Sequence, residues 1–450
     1  MKKNILSVVC IFLSLALSAQ TEKKEELIKK DWNFGALPAI TFDTDLGFQY
    51  GALVNLYDYG DGSRYPNYDH SLYFEVSRFT KGSSIYRFYY NSDQLIPGIW
   101  TSLDISYLTD KAYDFYGFNG YEAVINSGWM DDADPTDYLT RMFYKYDRKL
   151  FRTKIDLQGN ISGNKFRWIA GINLQNFVIG SVNTEKLNKG KDEADKLPST
   201  TEQPGLYENY QKWGVIQSKE ADGGFVSAFK GGLVYDSRDN KPNPMKGVWD
   251  EAVLEAAPEF LGAESSFVRI SLIHRQYFTI IPKDLSFAYR LGYQTTLGGN
   301  VPFYYKSQMI QSILTGATSE GLGGGKTIRG IYRNRVEGDG VFIGNAELRW
   351  KFARFNWIKN NWYLGLNAFT DFGKVTKMVD VKGSLTNPVY ADGQTEADYF
   401  NWDAEKIHFS YGAGLRIVMN ENFVIAADYG LATDEQDGKR GFYMGLNYIF

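Results

Sequence analysis

The chain has one cysteine, Cys10, in 450 residues. It lies inside an apolar run from Ile5 to Leu17 that follows Lys2 and Lys3 and precedes Ser18, Ala19 and Gln20. A short positive start, a short apolar core and small residues describe a secretory signal peptide, so residues 1–19 are expected to be removed near Ala19. The mature chain then has no thiol, which excludes disulfides and Cys-ligated metal. Histidine is almost as scarce. His70, His274 and His408 are scattered, with no spacing that gathers them around a metal, and no nucleophile–base constellation accompanies them. Neither an enzyme nor a cofactor is expected. A second long apolar run is also missing, which excludes helical membrane spans. The net charge of -4 is too small to argue for a nucleic-acid partner.

Aromatic residues, in contrast, are plentiful, at 16% of the chain with 32 Tyr, 30 Phe and 10 Trp. Charged and aromatic residues in one chain without helical spans fit a membrane barrel with a polar lumen, an apolar exterior and aromatic girdles. Residues 441–450, G-F-Y-M-G-L-N-Y-I-F, alternate with period two. Gly445, Tyr448 and the terminal Phe450 resemble the C-terminal signal strand of bacterial outer-membrane barrels. Sixteen candidate strands follow from a pass along the chain: 33–43, 46–57, 69–79, 84–93, 99–109, 147–158, 165–180, 225–236, 247–257, 265–278, 284–296, 341–352, 361–371, 407–418, 422–430 and 441–450. In the twelfth, Ala346, Leu348, Trp350 and Phe352 oppose Asn345, Glu347, Arg349 and Lys351, a lipid row against a lumen row. The long connections 110–146, 181–224, 297–340 and 372–406 all fall on one side of such a barrel, and short turns on the other. That is the pattern of long outer loops and short periplasmic turns. Residues 20–32 form a short charged periplasmic lead, and 33–450 a single transmembrane barrel. A closed barrel has no free edge, so a monomer is expected.

Three interior segments carry a resemblance. Gly231 to Gly247, G-G-L-V-Y-D-S-R-D-N-K-P-N-P-M-K-G, reads as strand, tight turn and strand. Tyr235, Asp236, Arg238, Asp239, Asn240 and Gly247 mark it. The Asp and Asn side chains can bond turn backbone, Pro242 and Pro244 fix φ, and Gly247 permits the return. Gly323 to Tyr332, G-G-G-K-T-I-R-G-I-Y, lies within the longest glycine-rich outer loop, and Phe369 to Gly373 reads F-T-D-F-G. In this order the segments resemble the BamA/TamA-type outer-membrane barrels, the bacterial surface antigen family, with Ile331 where an aromatic is usual. A further segment, Tyr113 to Gly120 (Y-D-F-Y-G-F-N-G), resembles short members of that family. The resemblance implies a 16-stranded antiparallel barrel whose loop 297–340 folds into the lumen.

A desolvated guanidinium requires an anionic partner. Glu347 and Asp371, inward by parity on adjacent strands, form a two-carboxylate seat for Arg329. Gly330, with Gly323, Gly324 and Gly325, allows the tight backbone such a fold-back needs, and Gly373 closes the matching F-T-D-F-G segment. The resemblance implies assembly, insertion or translocation of outer-membrane proteins. The partners would be the outer-membrane bilayer, client barrel proteins, and a periplasmic or lipoprotein partner. Larger members carry periplasmic POTRA modules, for which residues 20–32 leave no room. This favours the alternative of a passive channel or surface-exposed partner-binding barrel.

Overall fold

The computed structural model describes residues 28–450 apart from 39, 66, 134–135, 313–320, 359 and 422, so the expected signal peptide and most of the lead lie outside the described residues. The wall begins with β1 (Trp32–Pro38) and β2 (Thr41–Asp43), two stretches of one interrupted strand that both pair with β3 (Gly47–Asp58). It continues through β4 (His70–Phe79), β5 (Ser84–Ile96), β6 (Ile99–Asp114), β7 (Lys145–Ser162), β8 (Phe166–Gly180) and β9 (Gly223–Asp236). Then come β10 (Gly247–Ala257), β11 (Phe267–Ile281), β12 (Leu285–Gly299), β13 (Gly340–Trp357) and β14 (Asn360–Lys377). The last are β15 (His408–Met419), β16 (Phe423–Ala432) and β17 (Arg440–Leu446). Each pairs antiparallel with its sequence neighbour, and β17 returns to β2. The result is a closed 16-stranded antiparallel barrel. Several strands outrun their expected spans, β13 by reaching Trp357 and β6 by reaching Asp114.

Alternation decides the two faces. On β7, Arg148, Arg152 and Lys154 are buried inward, while Phe151 and Ile155 are exposed outward. The interior is a polar core of matched charges. Arg148 sits 2.7 Å from Asp110, and Arg87 and Arg152 share Asp104 at 2.6 and 3.2 Å. Buried guanidinia persist only with such partners.

Three departures from the sequence expectation matter. First, the last strand ends at Leu446 and not at Phe450. Asn447 takes φ +66°, and Tyr448, Ile449 and Phe450 leave the sheet and are buried inside. Tyr448 and Phe450 therefore do not continue the lipid-facing row. Guanidinia inside the barrel offer their rings better partners: Arg349 lies 4.3 Å from the Tyr448 ring centroid and 4.8 Å from that of Phe450. Second, β1 ends at Pro38 and β2 begins at Thr41, where one continuous strand 33–43 was expected; proline removes a ladder donor.

Third, the four long connections fold together. Residues 115–144, 181–222, 300–339 and 378–407 share an aromatic core that includes Phe115, Trp129, Tyr144, Tyr210, Trp213, Phe303 and Phe400. This cap over the long-loop end absorbs aromatic residues that girdles alone were expected to use.

Candidate functional site

The connection between β12 and β13 runs inward from the cap. Its first limb is held through its own backbone. Arg269 donates to the Gln308 carbonyl at 3.0 Å, Lys230 to Gln311 at 2.9 Å and Ser271 to Ile310 at 2.9 Å. Its second limb carries Arg329, which is fully buried. Asp371 on β14 accepts from Arg329 Nε at 2.8 Å, from Nη2 at 2.9 Å and from its backbone N–H at 3.0 Å. Glu347 Oε1 on β13 lies 2.6 Å from Nη1. The guanidinium is also stacked 3.4 Å from the Phe369 ring centroid. Burial alone would lower its pKa. The carboxylates of Asp371, Glu347 and Asp428 outweigh that and hold Arg329 well above its ordinary value.

The glycines set how closely the loop approaches. Gly330 has φ +93°, and a Cβ there would lie 2.6 Å from the Gly430 carbonyl carbon. Gly373 leaves space for Ile328, whose Cδ1 would be 2.6 Å from an added Cβ. The loop tip thus lies directly on the backbone of β16.

Several partners escaped the sequence reading. Asn345 donates to Asp371 Oδ1 and to the Thr327 carbonyl, both at 2.7 Å. Arg349 holds the second oxygen of Glu347 at 2.7 Å. Asp428 lies 3.5 Å from Arg329 and 2.9 Å from Arg416. Gly330 N–H donates to the Tyr443 hydroxyl at 3.2 Å. The parity that placed Glu347 inward also places Asn345 inward, so that signal was present. Asp428 and Gly430 required knowledge of where the loop tip lands.

The turn between β9 and β10 is a separate centre. Arg238 grips Asp236 with Nε at 2.9 Å and Nη2 at 2.8 Å, and stacks 3.8 Å from the Trp249 centroid. Arg275 covers the other face of that indole at 3.8 Å. Asp239 Oδ1 accepts from the N–H groups of Asn240, Met245 and Lys246, and Asn240 Oδ1 from Asn243. Gly247 has φ +112°, while Tyr235 faces outward, partly exposed. Among the described residues, none of this turn's hydrogen bonds or ring contacts involves Arg329.

The third centre is the seam. Among the described residues, β17 meets β2 through one ladder pair, Tyr443 with Asp43. Just past β2, Thr44 adds a clasp: its N–H donates to the Phe442 carbonyl at 3.1 Å, and its hydroxyl accepts from Phe442 N–H at 2.7 Å. Among the described residues, Trp32 to Pro38 pair with β3 only. Tyr448 to Phe450, which that register would set opposite residues 38 to 36, have turned inward. Arg290 donates to the Ile449 carbonyl at 3.2 Å and Arg349 to that of Phe450 at 3.0 Å. Gly445 stays in β17, where an added Cβ would meet only Lys326 Nζ, at 3.7 Å. A cavity of about 340 Å³ lies beside the seam, bounded by Gly323 to Lys326, Tyr443 to Phe450 and the inner faces of β3 to β5.

A closed 16-stranded antiparallel barrel with a charged interior and an apolar exterior defines the class: a transmembrane barrel of the outer-membrane type. The chain belongs to the Omp85 superfamily, whose domain model matches residues 77–450. Its fold is similar to that of BamA from Haemophilus ducreyi lacking POTRA domains 1–3, with a TM-score of 0.51 and 14% identity over 93% of this chain and 71% of that one. It is also similar to CdiB from Escherichia coli, with a TM-score of 0.52 and 11% identity over 94% of this chain and 64% of that one. No match was found among curated protein sequences.

Proposed function

We propose that this protein inserts or translocates polypeptides at the outer membrane, with the seam as its working element. In this reading residues 1–19 are removed as a signal peptide, 20–32 form a periplasmic lead and 33–450 the barrel. The observation that carries it is the edge of β1 away from β3, where alternate residues of Trp32 to Pro38 present backbone groups with no ladder partner among the described residues. An incoming strand can pair with such an edge by β-augmentation. The ion pairs of Arg329 with Glu347 and Asp371 would lock the loop in the lumen and keep the barrel in shape while the seam opens. Client outer-membrane proteins and a periplasmic or lipoprotein partner are the interactions this role requires.

The experiment is quantitative proteomics of the outer membrane after deletion of the gene. A selective fall in other barrel or surface proteins supports the role and names the clients. An unchanged proteome moves the second reading, a passive channel or partner-binding surface barrel, to first place. The cavity beside the seam is the observation that favours that second reading.

A further inference from the structure

The segment Tyr113 to Gly120 leads from β6 into the cap, and its last residue borders a buried charge cluster. Gly120 has φ +56°, and a Cβ there would clash with Glu405 Oε2 and lie 2.6 Å from His408 Nε2, so no other residue fits without displacing the carboxylate and the ring. His408, at the cap end of β15, is fully buried. Its Nδ1 lies 2.6 Å from Asp437 Oδ1 and its Nε2 3.3 Å from Glu405 Oε2. The Tyr121 ring stacks on the imidazole, 4.0 Å away and tilted 4°, and its hydroxyl donates to Asp437 Oδ2 at 2.5 Å.

Arg335, also fully buried, is 3.5 Å from Asp437 and donates to the carbonyls of Gly120 at 2.6 Å and Ala123 at 3.0 Å. Glu405 further accepts from the N–H groups of Tyr121 at 2.9 Å and Val375 at 2.7 Å. Outside the cluster, Lys406 lies 4.7 Å from the Tyr121 centroid and pairs with Asp434 at 2.9 Å.

Four segments meet here: the β6–β7, β12–β13 and β14–β15 connections and residues 433–439, which lead into β17. A carboxylate only accepts hydrogen bonds, so an imidazole placed between two of them must carry a proton on both nitrogens. With that proton, His408 and Arg335 balance Asp437 and Glu405. Without it, the cluster holds one uncompensated buried negative charge, which is costly. Separating the segments would return both carboxylates to water.

We propose that His408 is a proton-binding site that fastens the cap, and with it the hairpin that ends in β17, so that the cap is held while the imidazole is charged and released when it is not. Cap closure is then linked to proton uptake. The cap and the outer end of the last strand would respond to one titration, whatever crosses the lumen.

The test uses the full-length protein in detergent micelles. One cysteine is placed in the cap core (Ala221→Cys) and another, as a reference, at the exposed Val389 (Val389→Cys). The background carries Cys10→Ser, should the signal segment persist, and Glu337→Gln, because Glu337 is a second pH-sensitive group in the cap. The ratio of the two maleimide-labelling rates cancels the pH dependence of the thiolate. The ratio should rise at least ~10-fold between about pH 6 and about pH 9. In His408→Gln it should be high and flat across that range. If His408→Gln does not fold, Glu405→Gln serves instead and should move the rise to lower pH. A ratio that stays flat with His408 present, or that rises equally in the folded variant, overturns the proposal.

Discussion

Removal of the Arg329 side chain is the sharpest perturbation of the loop. In Arg329→Ala, Asp371 loses both side-chain bonds and Glu347 its contact at 2.6 Å, while the ring of Phe369 loses its cation. Breaking a buried pair by removing one partner costs about 3–5 kcal/mol, because the other charge is left uncompensated. The desolvated cation–π contact adds about 1–2 kcal/mol. Two features reduce the sum. Glu347 keeps Arg349, and Asp371 keeps Asn345 and the backbone N–H of residue 329. We therefore expect a loss of roughly 3–5 kcal/mol, together with altered single-channel conductance. Urea unfolding in micelles, followed by gel heat-modifiability, measures the first, and planar bilayers the second. Replacing the pair together, Arg329→Met with Asp371→Leu, should cost less than Arg329→Ala alone, since no charge is stranded. A single variant within about 0.5 kcal/mol of the parent with unchanged currents would refute the reasoning.

Three further outcomes follow from the same contacts. Gly430→Val puts a Cβ 2.7 Å from the Arg329 carbonyl carbon, so the loop tip must lift; it should destabilise by about 1–3 kcal/mol, whereas Gly445→Ala, in open surroundings, should be near neutral by the same unfolding assay. Arg238→Ala removes the grip on Asp236 and one side of the Trp249 stack, and should cost about 3 kcal/mol by the same assay. Burial pushes the Glu337 carboxyl up to about 8 from 4.5 despite Lys306 and Arg269 nearby. Its protonated form is thus favoured in the fold: stability is full below 4.5, falls as pH rises towards 8, and stays low above that. Glu337→Gln should flatten this part of the profile, read as unfolding midpoint against pH.

The barrel was legible because period-two alternation survives wherever one face meets lipid and the other a polar core. Asn345 to Phe352 shows this most clearly. Loop parity then fixed which side each connection takes. Arg329 came to notice through the resemblance, which implies a loop carried into the lumen; chemistry then asks for carboxylates, and parity points to Glu347 and Asp371 as the inward ones. The inward turn of Tyr448 to Phe450 was not, because their alternation is equally compatible with a strand. What decides it is the competing pull of Arg290 and Arg349, which no local pattern reveals. The cap was also hidden. Its core joins residues as distant as Phe115 and Phe400, and irregular loops have no period from which to read burial. His408 was dismissed at the sequence level because its partners Glu405 and Asp437 matter only once Gly120 and Tyr121 close over them.

The proposed role turns on opening of the seam. Continuing the register of Tyr443 with Asp43 places Leu446 opposite Ile40. Cysteines at these two positions (Ile40→Cys with Leu446→Cys) can tie the strands when oxidised. The measurement is the outer-membrane proteome of cells carrying the tied protein, with and without a reductant. Oxidising conditions should reproduce the protein losses of the deletion strain, and reduction should reverse them. A normal proteome with the tie demonstrably formed would contradict the proposed role.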